Sequence, residues 1–550
     1  MDKIKVTIDG QTYDVDKGVA LQKMIDEHYT GNLPVVCVQV DTEFHTFDKT
    51  IDADCTLKFL TYLDPIGNRI YQKGLMFLLV YAFKELYGYS ESIKMCHPID
   101  KGILVRTSCS VDEKALEKIK NKMLDIVNQK LRFEKCLVTR KDAKSYFESI
   151  NFHNKAEVLL YNTTKYIELY KLGDLYDYFY SSIMPYDTSI LDRFEFTHID
   201  NHTCIFRFPT IENNGEIPEY IERDKIMKTF NFSYQLARRM EIFNINDFNR
   251  RVAEGKANDI VKLSEAVSSG NLLGLAKDID DNRNSIKLVL IAGPSSSGKT
   301  TTSRKLAMYL KVFGFNPKYL SIDDYFLDRE DTPKLPNGEY DFESIRAINL
   351  DLFNDHLTRL INGEEVSIPT FNFYKGQGEY LGKTLKLGKR DILIIEGLHA
   401  INEELTKSIS KDAKYKVYVS PLSDLNIDDH NMISNSDVRL LRRIVRDNRT
   451  RGYTAEDTIS KWQNVRDGET KYIFPYQNDV DFVYNSSFPY EIGVLKTFAE
   501  PLLYQIDHNS ECYEEALRLL KFLGLFVGVP DNEIPSDSIF REFIGGSYFE

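Results

Sequence analysis

A chain of 550 residues is too long for one hydrophobic core and implies two to four domains. With 42% hydrophobic and 28% charged residues, it has the composition of a folded protein and excludes a disordered one. The net charge of -13 excludes general nucleic-acid or membrane-surface binding, because a phosphate-lined partner would be repelled.

The N-terminus opens on a strand pattern, Ile4, Val6 and Ile8 alternating with polar residues, and lacks the apolar stretch of a signal peptide. Asp9-Gly10 predicts a hairpin turn, with Tyr13 and Val15 on the returning strand. A short helix over Leu21–His28 and a strand over Val35–Val40 complete a small β-rich module, residues 1–62. Residues 63–225 read as a mixed α+β domain, in which Leu116, Ile119, Met123, Ile126 and Val127 have helical spacing. The greasiest run, Gly74 to Phe83, is about half of the roughly 20 residues a membrane span needs, so it is expected as a buried helix. The seven cysteines are scattered without a C-x-x-C pair, as suits reduced thiols and a cytoplasmic protein.

Residues 226–283 read as a helical connector. At Ile286 the pattern changes. Lys287–Ala292 is a continuous apolar run, as expected for a parallel strand buried on both faces. Similar runs at Tyr319–Ile322, Ile392–Ile395 and Tyr415–Val419 alternate with helical segments, predicting a doubly wound parallel α/β sheet over 284–505. Residues 506–550 are expected to hold one amphipathic helix, Tyr513 to Phe526, and a tail.

The first strand runs into Gly293-Pro294-Ser295-Ser296-Ser297-Gly298-Lys299-Thr300, a complete G-x-x-x-x-G-K-[ST] motif followed by a helical pattern. Glycines let backbone N–H groups wrap phosphates, and the helix N-terminus adds partial positive charge. Lys299 can bridge β- and γ-phosphates, and the Thr300 hydroxyl can ligate Mg²⁺. The neighbouring strand ends in Asp323-Asp324-Tyr325-Phe326, placing a carboxylate where ligands of open α/β sheets collect. It can accept a proton from an attacking hydroxyl or orient it; a helix-cap aspartate is the ordinary alternative. Asp391–Glu396 is an apolar strand ending in an acid that can hold Mg²⁺. Arg439, Arg442, Arg443 and Arg446 share one helix face, with Arg449 and Arg451 behind, and Asp437 and Asp447 as the acids nearby. Such a stripe is either a solvated basic face or an arginine lid that stabilises transferred phosphoryl charge.

Together these motifs make residues 286–505 resemble the uridine kinase/phosphoribulokinase family. The ordered series is GPSSSGKTT (293–301), SIDDYF (321–326), EYDFESIRAI (339–348), IPTFNF (368–373), DILIIEGLHA (391–400) and RLLRRIVRDNRTRG (439–452). The resemblance implies a P-loop kinase using ATP and Mg²⁺. It would hold phosphate on 293–301, including Thr301, and magnesium on Thr300 and Glu396. Asp323 would be the base, with Asp324 in the variable position of the motif. Lid arginines would be Arg442, Arg446 and Arg451, with Lys299 and Arg446 catalytic. Acceptor contacts would fall on Asp323, Tyr325, Glu343 and Phe371. Glu343, with Asp341 beside it, stands where uridine kinases place the ribose-binding carboxylate. The residues that read the pyrimidine would fall near Phe371 and Gly376, and neither can make that hydrogen bond.

Residues 1–225 resemble the N-terminal part of threonyl-tRNA synthetases: a TGS-like module, then an editing-type domain carrying Tyr81–Tyr87 and Pro98–Gly102. The editing histidines and cysteine would fall at Lys73, Phe77, Phe179 and Ile183, none of which can bind metal there. This region is therefore expected to be regulatory or RNA-contacting, or a scaffold for a homo-oligomer. The expected reaction is transfer of the γ-phosphoryl of Mg-ATP to the 5′-hydroxyl of a nucleoside. Kinases of a sugar phosphate or pantothenate-like acceptor, and an RNA-sensing ATP switch, are the alternatives.

Overall fold

The structure is a computed structural model. It describes residues 3–549 apart from Asp100, 180–182, 335–337, Glu339, Phe342, 373–374 and Asp424. Of the residues in the sequence motifs, Asp100, Glu339, Phe342 and Phe373 lie outside the described ones.

At the N-terminus, strands Lys3–Ile8 and Gln11–Asp16 pair antiparallel across Asp9 and Gly10, whose φ angles of 49° and 80° make the tight turn. The sheet order is Gln11–Asp16, Lys3–Ile8, Cys55–Thr61, Val35–Val40, Glu43–His45, and only the pairing of Lys3–Ile8 with Cys55–Thr61 is parallel. Alternation along the first strand puts Ile4, Val6 and Ile8 into a small core with Leu21 and Met24 of the helix Leu21–His28.

The helix Pro65–Tyr87 is apolar over most of its surface, because two bodies cover it. Leu75, Phe77, Val80 and Phe83 are at most 0% exposed. Around it stand an antiparallel sheet (Glu195–Asp200, Thr203–Arg207, Gly102–Thr107, Ile93–Ile99) and a smaller one (Glu134–Thr139, Tyr166–Leu172, Leu175–Asp177). Among the described residues, no helix is long and apolar enough to cross a membrane.

The C-terminal part is built on a five-stranded, all-parallel sheet in the order Asn316–Ser321, Asp391–Glu396, Leu288–Ala292, Lys414–Ser420, Phe482–Asn485. The run at 288–292 is apolar throughout because both faces are buried. Leu288, Leu290 and Ala292 enter one core, and Val289 and Ile291 the core on the other face. The edge strand Phe482–Asn485 was not legible from its own short sequence.

Residues 226–283, expected as a helical connector, are helical and pack into the fold. Their helices are Asp224–Met240, Ile245–Ala253 and Ala257–Asp281. Leu272, Leu275, Ala276 and Ile279 are 0% exposed and join the core beneath the helix Lys299–Val312. Mixed polar sequence hid this, since only one stripe of each helix is apolar. The C-terminal helix runs over Tyr513–Leu523, and the segment after it folds back onto the parallel sheet's loops.

Candidate active site

The strand Leu288–Ala292 delivers the P-loop to the C-terminal edge of the sheet, and the helix Lys299–Val312 begins directly behind it. Gly293 is required by close approach: a Cβ there would lie 2.0 Å from the Val419 carbonyl oxygen. Gly298 takes φ +87°, a left-handed conformation that favours glycine. Ser296 and Ser297 are buried in the loop, whereas Thr300 is exposed at its mouth. The Lys299 ammonium donates to the carbonyls of Gly293 at 2.9 Å and Pro294 at 3.0 Å, folded over the loop. Burial pushes its pKa down, while Glu396, Glu542 and Glu469 oppose that push.

Parallel register brings the acids to the same edge. Glu396 pairs across the ladder with Ile291 on one side and Ser321 on the other, so the strand ending in Ser321 delivers Asp323 beside it. Thr300 Oγ1 donates to Glu396 Oε1 at 3.2 Å. Burial raises the Glu396 pKa, reinforced by Asp323 and Glu542 and opposed by Lys299. Burial likewise raises that of Asp323, with Lys299 and Arg451 opposing and Asp324 reinforcing. The Asp323 side chain still reaches solvent at the rim, which screens this push. Asp324 instead forms an ion pair with Lys383 at 3.1 Å.

These oxygen donors fit a small hard cation. Among the described residues no group of three or more His, Cys, Asp or Glu could hold a metal. Mg²⁺ needs no such cage, being held by one or two carboxylates, waters and substrate phosphates. Thr300 and Glu396 supply a hydroxyl and a carboxylate in contact.

Glu343 lies against the helix Trp462–Tyr472, its Cβ 3.1 Å from where a Cβ on Gly468 would sit. Burial raises its pKa, opposed by Arg443 and Lys299. The Tyr472 hydroxyl donates to Asp341 Oδ2 at 3.3 Å. Two predicted acceptor contacts are buried beside aromatic rings. Tyr325 is 1% exposed and its hydroxyl pairs with His356 Nδ1 at 3.0 Å, inside the core. Phe371 is 7% exposed, with its ring 5.6 Å from that of Phe326. The Gly376 carbonyl accepts from the Arg329 N–H at 2.8 Å.

The arginine stripe lies on the helix Asn435–Arg451 and is divided among acids from other elements. Arg439 is buried in a bidentate pair with Glu469, whose Oε1 also accepts from the Ser295 N–H at 2.7 Å. Arg442 is 0% exposed, held by Glu491 at 2.6 Å and by the Ser486 carbonyl at 2.7 Å. Arg443, Arg446 and Arg451 share the single buried carboxylate of Asp447 at 3.2, 2.8 and 3.5 Å. Arg443 also donates to Ser295 Oγ at 2.9 Å, which leaves this triad cationic beside the P-loop. Asp437 turns away to Arg518.

The structure thus brings together 293–301, Asp323, Glu343, Glu396, Arg443, Arg446 and Arg451. It adds Glu469 and Glu542, which no local signal marked: each is one acid among many on a short helix, and only chain folding brings it to the loop. Residues 288–489 match the phosphoribulokinase/uridine kinase family. This region is a P-loop kinase domain. The uridine kinase of Staphylococcus epidermidis is 27% identical over 201 residues, 36% of this chain and 87% of that one. The uridine kinase of Anoxybacillus flavithermus is 26% identical over 194 residues, 35% of this chain and 82% of that one. A D-glycerate 3-kinase structure from Cryptococcus neoformans var. grubii has a TM-score of 0.24 at 15% identity, covering 38% of this chain and 87% of that one.

Proposed function

We propose that the protein transfers the γ-phosphoryl group of Mg-ATP to a hydroxyl of a small acceptor, foremost the 5′-hydroxyl of a nucleoside. The observation that carries this reading is the meeting, at one sheet edge, of a complete P-loop, the Thr300–Glu396 contact and the free carboxylate of Asp323. Backbone N–H groups of 295–301 and Lys299 would hold the phosphates. Thr300 and Glu396 would hold Mg²⁺, which supplies charge neutralisation between the phosphates when bound. Asp323 orients the acceptor hydroxyl and takes its proton. It is preferred over Asp324, whose carboxylate is already engaged by Lys383. Arg443, Arg446 and Arg451, with one shared counterion, supply positive charge to the transferred group. Glu343, within reach of the charges of Arg443 and Lys299, would accept from sugar hydroxyls.

A non-nucleoside acceptor is favoured by one specific feature. Phe371 and Gly376 offer no side-chain hydrogen bond to a base, and a site without such a bond discriminates poorly. A sugar phosphate or a pantothenate-like alcohol would need none. The N-terminal region, read as TGS-like and editing-like, would regulate, contact RNA or serve as a scaffold rather than hydrolyse, since Lys73, Phe77, Phe179 and Ile183 stand where the resemblance would put its ligands.

The test is ADP release with Mg-ATP across nucleosides, sugar phosphates and pantothenate, with products identified by mass. Phosphorylation of one acceptor, reduced about 10²- to 10⁴-fold in Asp323→Ala, is the expected result. Protein that binds ATP but phosphorylates none of these acceptors would sink the reading.

A further inference from the structure

The C-terminal tail ends on the phosphate cradle. Ile539, Phe540 and Phe543 are 0% exposed, buried in the core that contains Leu306 and Val445. Asp537 pairs with Lys305 of the P-loop helix at 3.0 Å, and Arg541 with Asp531 at 2.8 Å, which fixes the tail's course. Two contacts then reach the P-loop and its helix, and two more reach the helix Asn435–Arg451. The N–H of Thr301, third residue of the helix Lys299–Val312, donates to Glu542 Oε2 at 3.0 Å. A Cβ on Gly298 would fall 2.7 Å from Ile539 Cγ2, so the tail lies directly on the loop's last glycine. The Phe543 ring sits 4.7 Å from the Arg442 guanidinium. Arg449 adds a bond to the Glu542 carbonyl at 3.1 Å.

First-turn N–H groups behind a P-loop are where phosphate oxygens bind. A carboxylate there presents the same negative charge and acceptor atoms. An aromatic ring over a guanidinium likewise presents the face that a nucleobase would. We propose that the C-terminal tail is an internal competitor for nucleotide: Glu542 holds a phosphate position at Thr301, Phe543 a ring position on Arg442, and a nucleoside triphosphate seats only when they move off. This inference rests on the reading of 293–301 as an ATP site. Glu542 also acts on Lys299 electrostatically, second after Glu396 among the acids that hold its proton. The tail therefore satisfies a backbone N–H of the cradle, and ATP must replace that anion rather than fill open space.

The experiment is calorimetric titration of the full chain and of Glu542→Gln with the ATP analogue AMP-PNP and Mg²⁺. A second measurement is amide hydrogen exchange over residues 538–546 of the unaltered chain. Glu542→Gln keeps every apolar tail contact. It is expected to tighten AMP-PNP binding roughly tenfold, the factor for a closed tail populated about 90% of the time. In the unaltered chain, AMP-PNP is expected to increase exchange over 538–546. Equal or weaker binding by Glu542→Gln, or unchanged or slower tail exchange, overturns the competitor while leaving the ATP site standing. Absence of AMP-PNP binding by both chains overturns the two readings together. If Glu542→Gln does not fold, tail exchange in the unaltered chain decides alone.

Discussion

At the scale of single residues, the acidic edge sets the pH behaviour. Burial raises the pKa of both Asp323 and Glu396, with Asp324 adding to the first shift and Asp323 to the second. A group raised in the folded protein is protonated at higher pH than an ordinary carboxylate, so activity that needs both ionised is lost as pH falls through that raised range. The acid limb of kcat is expected above the usual carboxylate range, and Asp324→Asn is expected to keep that limb but move it to lower pH, because it removes the negative charge that adds to the push on Asp323. A pH profile of both chains at saturating ATP checks this. An Asp324→Asn chain that loses activity across the whole pH range would reassign the base. Asp323 itself was readable from its motif. Tyr325, one step further in the same motif, was not, because the turn after Ser321 sends its ring toward Phe353 and His356.

At the scale of elements, the helix Asn435–Arg451 shows how an apparently unneutralised stripe is balanced. Its own acids, Asp437 and Asp447, could not balance six arginines. Glu469 and Glu491 come from two other helices and bury Arg439 and Arg442 as pairs. Removing one partner of a buried pair strands the other charge, so Glu469→Gln is expected to cost about 3–5 kcal/mol. Urea unfolding of that variant measures it. Because Glu469 also accepts from Ser295 N–H, the same variant is expected to weaken ATP binding, whereas a stability loss under about 1 kcal/mol would show that the pair is not desolvated. Helix periodicity found the stripe. It could not divide it into buried anchors and the Asp447-linked triad, since that depends on which elements lie opposite each turn.

At the scale of the whole molecule, a loop of the kinase domain is plugged into the N-terminal region. Lys155 pairs with Asp177 at 2.7 Å and with Asp428 at 2.9 Å, and His430 Nδ1 lies 2.6 Å from Asp177, all within 3% side-chain exposure. Met95 N–H donates to the Asp429 carbonyl at 2.8 Å, and Asn426 Nδ2 to the Met95 carbonyl at 2.7 Å. Lys155→Met leaves two buried carboxylates short of a cation and is expected to destabilise by about 3–5 kcal/mol. A chain that unfolds in one transition, shifted as a unit, would show that both regions are coupled; a shift confined to an N-terminal transition would show that they are not.

Lys73 lies near the same network, its pKa pushed down to about 8 by burial, with Lys155 and Arg518 adding to that and Asp428 and Asp437 opposing. Unfolded, it titrates near the ordinary lysine value, so between about pH 8 and 10.4 the unfolded chain binds the extra proton and stability rises with pH. The expected contribution is about 2–3 kcal/mol across that window, absent in Lys73→Met. Urea midpoints of both chains at pH 8 and pH 10 test it: equal pH dependence in the two would rule Lys73 out.

The amino-acid sequence by itself determined the parallel sheet and its P-loop, because strand burial and phosphate wrapping are local demands written in contiguous residues such as 287–300. It also carried Glu396, which closes its strand, and Asp323, just past the end of Asn316–Ser321. Tertiary structure alone decided which acids reach the loop, how the arginines are shared, and that the tail returns to Thr301. Those contacts join residues up to 241 positions apart, and local composition does not encode distance in the folded chain. Glu542, Glu469 and Asp428 look alike in sequence, and each acquires its role only from the cation or N–H that folding sets against it.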